Sequence, residues 1–449
     1  MVRLTGPFSR LDRCKVLVAG DLMLDTYTIG KAKRISPEAP VAVIHVQREE
    51  NRPGGAGNVV LNLVSLGAEV VALSRLGNDV YGKVLKDILI QEKVDVSGLL
   101  IQHDYFTPVK NRVIAENQQI VRIDHEQLIS LSAELEEQIV EQIPHLLEGI
   151  QVVALSDYGK GFLTKKLLSS LIQQAQKRGI PVITDPKGTD FSKYSGSTMI
   201  KPNLGEAYAA ANLSLDMPLE LVAERIFEKT SVEVLLITRS ESGISIFERK
   251  GQRLDFPVRV HEVKDVTGAG DTVLAMLSYA LGNRLSLAEA AQLANVAAGI
   301  AIEHLGCARV TLTELAQRLL AYDVVNKVFD EDHLFALKKA LKGQKIALMS
   351  ISIQGGLTPF IFKSIRELSQ KAHMKLLLYI RDAQPSDDSI NMLASLREVE
   401  FIILNTHNFE DFCNLIKPDE IHCLENNHLL DSPDSHLARQ QQTNIQNYV

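Results

Sequence analysis

Short apolar runs that end in polar or glycine-containing loops recur along most of the chain. The first run, Lys15–Gly20, leads directly to Asp21. Similar runs lie at 70–76, 152–155, 182–184, 199–200 and 234–237. Helical patterns, for example 163–178 and Leu219–Lys229, separate them. This alternation predicts an α/β fold with a mostly parallel sheet that helices cover on both faces. Ligands of such sheets bind at the carboxyl ends of the strands.

Two segments depart from this pattern. Residues 39–46 are typical of a strand, a polar stretch follows, and the glycine-rich segment 53–58 opens a helical pattern over 59–66. Residues 107–124 alternate polar and apolar positions and are rich in Val, Ile and Arg. We expect antiparallel strands there, outside the main sheet, which together with the strand at 41–46 form a small β lid.

The α/β pattern starts again near residue 334, after a helix over 311–321 and a charged segment. The restarted pattern predicts a helix over 334–341, a strand over 345–350, a helix over 360–371 and a strand over Met374–Ile380. We therefore predict a first domain at 1–321, a linker at 322–333, and a smaller α/β domain at 334–449 that ends in a polar tail from 432.

Composition narrows the class of protein. The 449 residues are 45% hydrophobic and 23% charged, which excludes disordered, collagen-like and coiled-coil chains. The net charge of −7 weighs against nucleic-acid binding, since phosphate neutralisation requires a basic face. Four cysteines without a C-x-x-C pair indicate a reducing compartment. No apolar run approaches the ~20 residues of a membrane helix, so we expect a soluble, cytoplasmic protein without a membrane partner.

The segment 265–271, Asp-Val-Thr-Gly-Ala-Gly-Asp, leads into an apolar helical pattern. Gly268 and Gly270 allow backbone N–H groups to converge around Ala269, and the helix start adds the positive end of its dipole. These features predict an anion hole. Asp271 can accept a proton from a substrate hydroxyl there while the amides stabilise a transferring phosphoryl group. The alternative is a glycine turn in which Asp271 caps the helix.

The segment 265–271 resembles the second signature of the ribokinase-like (PfkB) carbohydrate kinases, and 52–58 is similar to their first glycine signature. Further strings resemble, more narrowly, the kinase half of the bacterial bifunctional heptose 7-phosphate kinase/heptose 1-phosphate adenylyltransferases. They lie at 20–25, 34–41, 117–119, 155–158, 185–191 and 238–241. The resemblance implies a ribokinase-like, mostly parallel sheet with a small β lid, followed by a smaller, Rossmann-like domain of the nucleotidyltransferase type.

The resemblance also implies roles for individual residues. Asp271 would be the base, beside the amides of Gly268, Ala269 and Gly270. The residues that would contact ATP are Asn203, Leu204, Gly205, Glu206, Thr238, Ser240, Thr267 and Asn295. The residues that would contact the sugar phosphate are Asp21, Asp25, Gly54, Gly55, Asn58, Arg34, Lys110, Arg112, Asp157 and Lys187. Glu206 would hold Mg²⁺ through water, an ion that retains most of its hydration shell.

Most of these assignments have a structural alternative. Asn203 and Glu206 have the spacing of a helix capping box, which is compatible with a role at the nucleotide. Asn295 also suits a helix core. Each basic residue taken alone suits a solvated surface, and Asp21 and Asp25 suit loop acids.

The second domain departs from the family pattern. The nucleotidyltransferase domains carry an H-x-G-H element after their first strand, where this chain has Leu357-Thr358-Pro359-Phe360. Neither Leu357 nor Phe360 offers charge or a hydrogen bond. His373, His407 and His422 do not restore the spacing. We therefore expect a degenerate domain without adenylyltransferase activity.

The resemblance implies one reaction and one assembly. The reaction is ATP-dependent phosphorylation of D-glycero-β-D-manno-heptose 7-phosphate at O1, which yields heptose 1,7-bisphosphate for ADP-heptose and the lipopolysaccharide core. The alternatives are a kinase for another phosphorylated sugar and a non-catalytic sensor of sugar phosphate and nucleotide. The family resemblance also implies a homodimer formed through the lid.

Overall fold

The computed structural model describes residues 7–8, 10–116, 118–251, 253–258, 263–304, 306–322, 328–329, 334–370, 374–382, 385–396, 398–404, 409–425 and 428–431. Several predictions fall outside these residues: Asn117, most of the linker, His373, His407 and the tail from 432. The chain divides into two compact units. One is Arg10–Leu312, and the other is Thr313–Val449 with Arg3–Ser9. Each unit is described by itself.

The first unit is built on a parallel sheet. Its strands and those of the lid are β1 Lys15–Gly20, β2 Leu22–Ile35, β3 Ala42–Gly55, β4 Glu69–Gly77, β5 Asp95–Gln102, β6 Val109–Ala115, β7 Gln118–His125, β8 Val152–Ser156, β9 Val182–Asp185, β10 Met199–Ile200, β11 Val234–Thr238, β12 Ile244–Glu248 and β13 Leu254–Phe256. Within the described residues, nine strands form the main sheet in the order β13-β12-β11-β10-β9-β8-β1-β4-β5. Only the pairings of β12 with β11 and β13 are antiparallel there, which confirms the predicted sheet.

Helices cover this sheet. They are α1 Ala56–Ser65, α2 Val80–Gln91, α3 Ala133–Leu146, α4 Lys165–Lys177, α5 Leu204–Ala211, α6 Leu219–Lys229, α7 Ala269–Gly282 and α8 Leu287–Ala301. Local signals fix several helix starts: the Thr164 side chain caps α4, and Ser286 forms a capping box with Glu289 at α8. The apolar face of α4 packs into a core that includes Leu17 of β1 and Val153 of β8. Burial of that apolar face fixes α4 against the sheet.

A separate sheet forms the lid, in the order β3-β2-β6-β7. The antiparallel pairing of β6 with β7 confirms the prediction for 107–124. The prediction missed β2 and gave β3 too short, since β3 extends through the polar stretch to Gly55. Both faces of the first half of β2 are buried and its second half is exposed. No period-2 alternation therefore marks this strand in the sequence.

The second unit has its own α/β sheet. Its elements are α9 Leu312–Tyr322, which begins at the boundary, β14 Val328–Phe329, α10 Leu334–Ala340, β15 Lys345–Ile351, α11 Pro359–Ser369, β16 Met374–Ile380, α12 Asp387–Ala394, β17 Phe401–Leu404, α13 Phe409–Ile416, β18 Glu420–Glu425 and β19 His428–Asp431. In the described part of this unit the strand order is β14-β17-β16-β15-β18-β19, with β19 alone antiparallel. The strand order reverses between the parallel neighbours β15 and β18, as at the switch point of doubly wound folds.

The second unit confirms the predicted strands at 345–350 and Met374–Ile380. The segment predicted as a linker contains a strand, since Val328 and Phe329 pair with β17. Within the described ranges, none of the helices combines the length and apolarity that a bilayer crossing requires. All four cysteines are free thiols.

Candidate active site

The start of α7 coincides with the glycine segment that the sequence analysis singled out. Gly268 precedes the helix with a φ of 80°, a left-handed conformation that glycine adopts without strain. A Cβ at this position would lie 2.7 Å from Asn58 Nδ2, so a larger residue has no space. The glycine therefore permits both the turn and the close approach of α1 to α7.

The first turn of α7 presents backbone N–H groups at the positive end of the helix dipole. Of the three predicted amides, that of Ala269 already has a partner, since its N–H donates to the carbonyl of Val266 at 3.3 Å, which leaves those of Gly268 and Gly270. Lys201 Nζ would lie 3.7 Å from a Cβ at Gly270. A cation and convergent amides thus meet at one point, an arrangement that suits a phosphoryl group.

Asp271 is a buried carboxylate with two side-chain donors. Asn58 Nδ2 donates to Oδ2 at 2.8 Å, and the Tyr158 hydroxyl donates to Oδ1 at 2.7 Å. Burial raises the pKa of Asp271 to about 6, and the two hydrogen bonds oppose that shift. Burial also raises the pKa of Tyr158 well above its ordinary value, so Tyr158 stays a donor. Asp271 is ionised at neutral pH, fixed in orientation and able to accept a proton.

One ion pair lies beside this carboxylate, and a second lies close to the first. Lys201 Nζ is 2.9 Å from Asp185 Oδ2, and Lys187 Nζ is 3.0 Å from Glu206 Oε1. Burial raises the pKa of Asp185, and the neighbouring ammonium of Lys201 opposes the shift. Asp185 and Lys201 were not among the residues predicted for the site. The available signal was their position, because each stands where a parallel strand ends and ligands bind.

A cavity of about 690 Å³ borders this cluster. Tyr158, Asp185, Lys201 and Gly270 contribute to its wall. The predicted ATP residues in the wall are Asn203, Glu206, Thr238, Ser240 and Asn295. The tertiary structure therefore brings residues from several strand ends, loops and helices to one space, next to the start of α7.

Asn203 and Glu206 form the capping box of α5. Asn203 Oδ1 accepts from the Glu206 N–H at 2.9 Å, and Glu206 Oε2 accepts from the Asn203 N–H at 3.1 Å. Leu204 and Gly205 form the first turn between them. Asn203 also bridges to Thr238 at the end of β11. The structural alternative is thus realised, and the same residues still line the cavity.

Two further predicted ATP residues have structural contacts. Thr267 donates through its N–H and hydroxyl to Asp265 Oδ1, at 2.9 and 2.7 Å, which shapes the turn before Gly268. Asn295 Nδ2 donates to the carbonyls of Phe256 and Pro257, at 3.3 and 3.0 Å. Their contacts with nucleotide stay predictions.

Asp21 holds the loop that carries Tyr158. Its buried carboxylate accepts from the backbone N–H groups of Tyr158, Lys160 and Phe162, at 3.0, 3.0 and 3.3 Å. The buried guanidinium of Arg75 donates to the Lys160 carbonyl of the same loop at 2.7 Å. Burial raises the pKa of Asp21, and the three N–H donors oppose that shift. The described contacts of Asp21 are therefore with the backbone, and its predicted bond to a sugar hydroxyl stays a prediction.

Asp25 is ion-paired rather than open to solvent. Arg112 Nη1 lies 2.5 Å from Asp25 Oδ1, with both side chains largely buried. Gly54 packs so closely on the Asp25 carboxylate that a Cβ there would collide with it. A Cβ at Gly55, whose φ is 58°, would lie 2.7 Å from the Asp21 carbonyl. Close packing explains both glycines, and the charge of Arg112 is already partly neutralised.

The other predicted sugar-phosphate residues are placed differently from one another. Lys110 Nζ lies 6.0 Å from the centre of the Tyr158 ring, near the base. Arg34 is exposed on the outer half of β2. Asp157 accepts from Lys193 Nζ at 2.7 Å and from the Tyr194 hydroxyl at 2.6 Å, so it is already paired. Of these two predicted cations, Lys110 therefore lies next to the catalytic cluster, whereas Arg34 is only shown to be exposed on β2.

The residues around Glu206 fit Mg²⁺ in a limited way. Its carboxylate faces the cavity and holds Lys187, a half-exposed side chain that can rotate away. In the part of the chain that the structure describes, no group of three or more His, Cys, Asp or Glu side chains could enclose a metal ion. An ion held by one carboxylate must take its other ligands from water and phosphate, as Mg²⁺ does.

The fold and the site define a sugar kinase, and the chain belongs to the pfkB family of carbohydrate kinases, whose model matches residues 14–315. Two solved structures share the fold. Arabidopsis thaliana ribokinase, complexed with ribose and ATP, has a TM-score of 0.54 and 18% identity over 69% of this chain and 99% of its own. Phosphofructokinase-2 from Escherichia coli, in complex with substrates and products, has a TM-score of 0.57 and 23% identity over 69% and 99%.

More similar relatives carry the name bifunctional protein HldE. The one from Pelobacter propionicus is 46% identical over 75% of this chain and 70% of its own length. The one from Trichlorobacter lovleyi is 47% identical, and the match covers 69% of this chain and 63% of the relative. For the relative from Aliarcobacter butzleri, the match extends to 90% of this chain and 88% of the relative, at 36% identity. The similarity thus extends beyond the kinase unit.

Proposed function

We propose that the chain is an ATP-dependent kinase that phosphorylates O1 of D-glycero-β-D-manno-heptose 7-phosphate to give heptose 1,7-bisphosphate. The observation that carries this proposal is the arrangement of Asp271, a buried base with two donors at a helix start that suits a phosphoryl group. The heptose is favoured over other sugars by the subfamily strings of the sequence and by the relatives named HldE.

The proposed reaction needs a general base and a group of donors that stabilises negative charge on the transferring phosphoryl group. Asp271 accepts the proton of the O1 hydroxyl as the oxygen attacks the γ-phosphorus of ATP. The bond from that phosphorus to the β–γ bridging oxygen breaks, and ADP leaves with the electron pair. The Gly270 amide and Lys201 stabilise charge on the transferring group. The protein contributes mainly position and electrostatic stabilisation.

We assign the nucleotide to the cavity beside α5 and α8. Asn203, Thr238 and Ser240 line it, with Asn295 and Ala298 toward the purine. Mg²⁺ would be held at Glu206 through water, and when bound it would neutralise charge on the phosphates. The ion pair between Lys187 and Glu206 would then break, and the Lys187 ammonium would turn to a phosphate oxygen of the nucleotide. Lys110, beside Tyr158, is the candidate for the phosphate of the sugar.

Phosphate transfer measured on a panel of sugar phosphates tests this proposal. The panel contains heptose 7-phosphate, heptose 1-phosphate, fructose 1-phosphate, fructose 6-phosphate and tagatose 6-phosphate, each with MgATP. We expect the highest kcat/KM with heptose 7-phosphate and a product phosphorylated at O1. A higher kcat/KM with a hexose phosphate would contradict the substrate. Binding of sugar phosphate and nucleotide without turnover would favour the sensor.

We further propose that the second unit has lost adenylyltransferase activity. Leu357 and Phe360, at the positions of the family's two histidines, pack against the apolar core that contains Ile353 and Ile361. Apolar packing explains these residues and supplies no group for nucleotide phosphates. We expect no pyrophosphate from heptose 1-phosphate and ATP under conditions where the kinase turns over. Formation of ADP-heptose with pyrophosphate would contradict the proposed loss.

We also propose a homodimer that forms through the lid. All eight residues of β7 are exposed, including Ile120, Val121 and Ile123, and among the described strands β7 forms an edge of the lid sheet. Light scattering should give about twice the chain mass of 49.7 kDa. The variant Val121→Lys should run as a monomer. A monomeric parent protein would contradict this assembly.

The kinase, with its ATP and sugar phosphate, is proposed to act in the cytoplasm.

A further inference from the structure

Three side chains form a chain of hydrogen bonds that ends on the candidate base. The backbone N–H of Val310 donates to Asn62 Oδ1 at 3.1 Å. Asn62 Nδ2 lies 3.2 Å from Asn58 Oδ1, and Asn58 Nδ2 donates to Asp271 Oδ2 at 2.8 Å. Both asparagines are almost completely inaccessible to solvent. Neither can exchange a missing partner for water, so each hydrogen bond in the series constrains the next.

The donor and acceptor of each hydrogen bond in this series follow from the first one, in which the Val310 N–H is the donor. A backbone N–H can only donate, so the atom of Asn62 that faces Val310 must be the oxygen. The amide nitrogen of Asn62 then faces Asn58, where it donates also to the backbone carbonyl of Asn58 at 2.9 Å, and it lies 3.4 Å from the backbone carbonyl of Ala308. Asn58 must accept through Oδ1 and therefore turns its own nitrogen toward Asp271. The reverse orientation of Asn58 would place an oxygen against a carboxylate.

We propose that Asn62 is a positioning residue of the kinase site, which fixes the Asn58 amide so that it donates to Asp271. This inference rests on the proposed function, because it assigns Asn62 a role in the same reaction. Among the described contacts, Asn62 makes no hydrogen bond to Asp271, and it is not one of the residues that line the cavity. It acts through Asn58, and its anchor is the backbone at Val310.

The consequence is a base that stays ionised. The Asn58 hydrogen bond opposes the effect of burial on the pKa of Asp271. The other groups that act on this carboxylate are Tyr158, Asp185 and Lys201, and Cys307 faces it as well. Within the described residues, Tyr158, Asp185 and Lys201 make no hydrogen bond with Asn62, whereas Cys307 precedes Ala308, whose carbonyl lies 3.4 Å from Asn62 Nδ2. Loss of Asn62 should therefore raise the pKa of Asp271 while Tyr158 and Lys201 stay in place.

Two variants of Asn62 test the inference. Asn62→Asp keeps the acceptor for the Val310 N–H and removes the donor to Asn58. Asn62→Leu removes both without adding charge. In each we expect the acid limb of the kcat/KM profile to move up by about one pH unit. The corresponding loss of kcat/KM is about fivefold at pH 6, and at pH 8.5 the value returns to within about twofold of the parent.

The matched control is Thr230→Val. The Thr230 hydroxyl donates to the Ile226 carbonyl at 2.9 Å, a buried hydrogen bond at the end of α6. This control should lower the melting temperature and leave the acid limb where it is in the parent. If Asn62 had only a structural role, its variants would behave like this control: activity would change by the same factor at every pH, and the acid limb would not move.

A second readout needs no substrate. The carboxyl carbon of Asp271, labelled with ¹³C at Cγ of aspartate and assigned with Asp271→Asn, titrates by NMR. We expect its midpoint to rise in both Asn62 variants. An unchanged midpoint and acid limb in a folded Asn62 variant would overturn the inference. If the parent phosphorylates no sugar of the panel, the proposed function fails, and the NMR midpoints still decide whether Asn62 orients Asn58.

Discussion

Asp271 in the first unit and Asp382 in the second are both buried acids near the carboxyl ends of parallel strands. Asp271 is held by side chains, Asn58 and Tyr158, which leave it beside a cavity with Lys201 nearby. Asp382 accepts from Ser352 Oγ and from the Ile353 N–H, at 2.6 and 2.5 Å. It therefore ties together the loops after β15 and β16. Burial of a carboxylate does not by itself indicate chemistry, and its partners decide its role.

Replacing the candidate base should have the largest effect. Asp271→Asn keeps the shape of the side chain and removes its basicity, so kcat should fall by about 10²–10⁴-fold. The measurement is turnover with saturating MgATP and sugar phosphate. The exposed Asp87 on α2 supplies the control, and Asp87→Asn should retain parental turnover. Near-parental kcat in Asp271→Asn would remove this residue from its role.

Breaking the ion pair of the first unit should affect both stability and activity. Lys201→Met leaves Asp185 largely buried without its cation, and we expect a loss of about 3 kcal/mol in the free energy of unfolding. Urea titration measures this loss. The double variant Lys201→Met with Asp185→Asn should recover stability and stay impaired in kcat. Recovery of kcat as well would show that the pair is structural.

The raised pKa of Asp271 predicts opposite effects of pH on activity and stability. Folding raises this pKa from 3.8 to about 6, so ionisation of Asp271 disfavours the folded state. That penalty is absent below about pH 4 and complete above about pH 6. Activity should therefore fall as pH drops through 6. The stability of Asp271→Asn relative to the parent should therefore be higher at pH 7 than at pH 4, by about 2–3 kcal/mol.

Calorimetry at the two pH values checks the stability difference. Asp87→Asn again serves as the control, because its exposed carboxylate should give the same small difference at both. A pH-independent gain in Asp271→Asn would mean that the raised pKa is not the cause.

The smallest effect on activity is expected in the second unit. Asp382→Asn turns an amide nitrogen toward one of two donors and should destabilise this unit by about 1–2 kcal/mol. Turnover of the sugar kinase should stay within about twofold of the parent. Thermal unfolding followed together with kcat makes the comparison with Asp271→Asn direct. A large loss of kcat at unchanged stability would assign Asp382 to the kinase reaction and end the contrast between the two acids.

Several features of the site could be predicted because their signals are local. The glycine turn at Gly268 and the base at Asp271 lie within one short segment, and Asn203 with Glu206 has the spacing of a capping box. The strand ends at 182–184 and 234–237 were predicted from apolar runs and were confirmed. Each of these features depends on residues that are neighbours in the chain.

Other features could not be predicted, because they depend on contacts between distant segments. Asn58 and Asp271 are 213 positions apart, so nothing local shows that Asn58 faces the base. The Asp25 side chain pairs with Arg112, 87 positions away, which changes the charge available to a substrate. The strand β2 was missed because one half is buried on both faces and the other half is exposed.

Residue types and their order were enough to predict the α/β class, the family signatures, the candidate base and the absence of the H-x-G-H element from 357–360. These follow from residue types and short-range spacing, which fix local backbone geometry and the chemistry available. The partners of the buried acids became known only from the folded chain. Asp185 pairs with Lys201, and Asp21 accepts from the 158–162 loop. Asp271 accepts from Asn58, which in turn accepts from Asn62. The physical reason is that burial and hydrogen-bond direction are set by packing between elements that are remote in the chain.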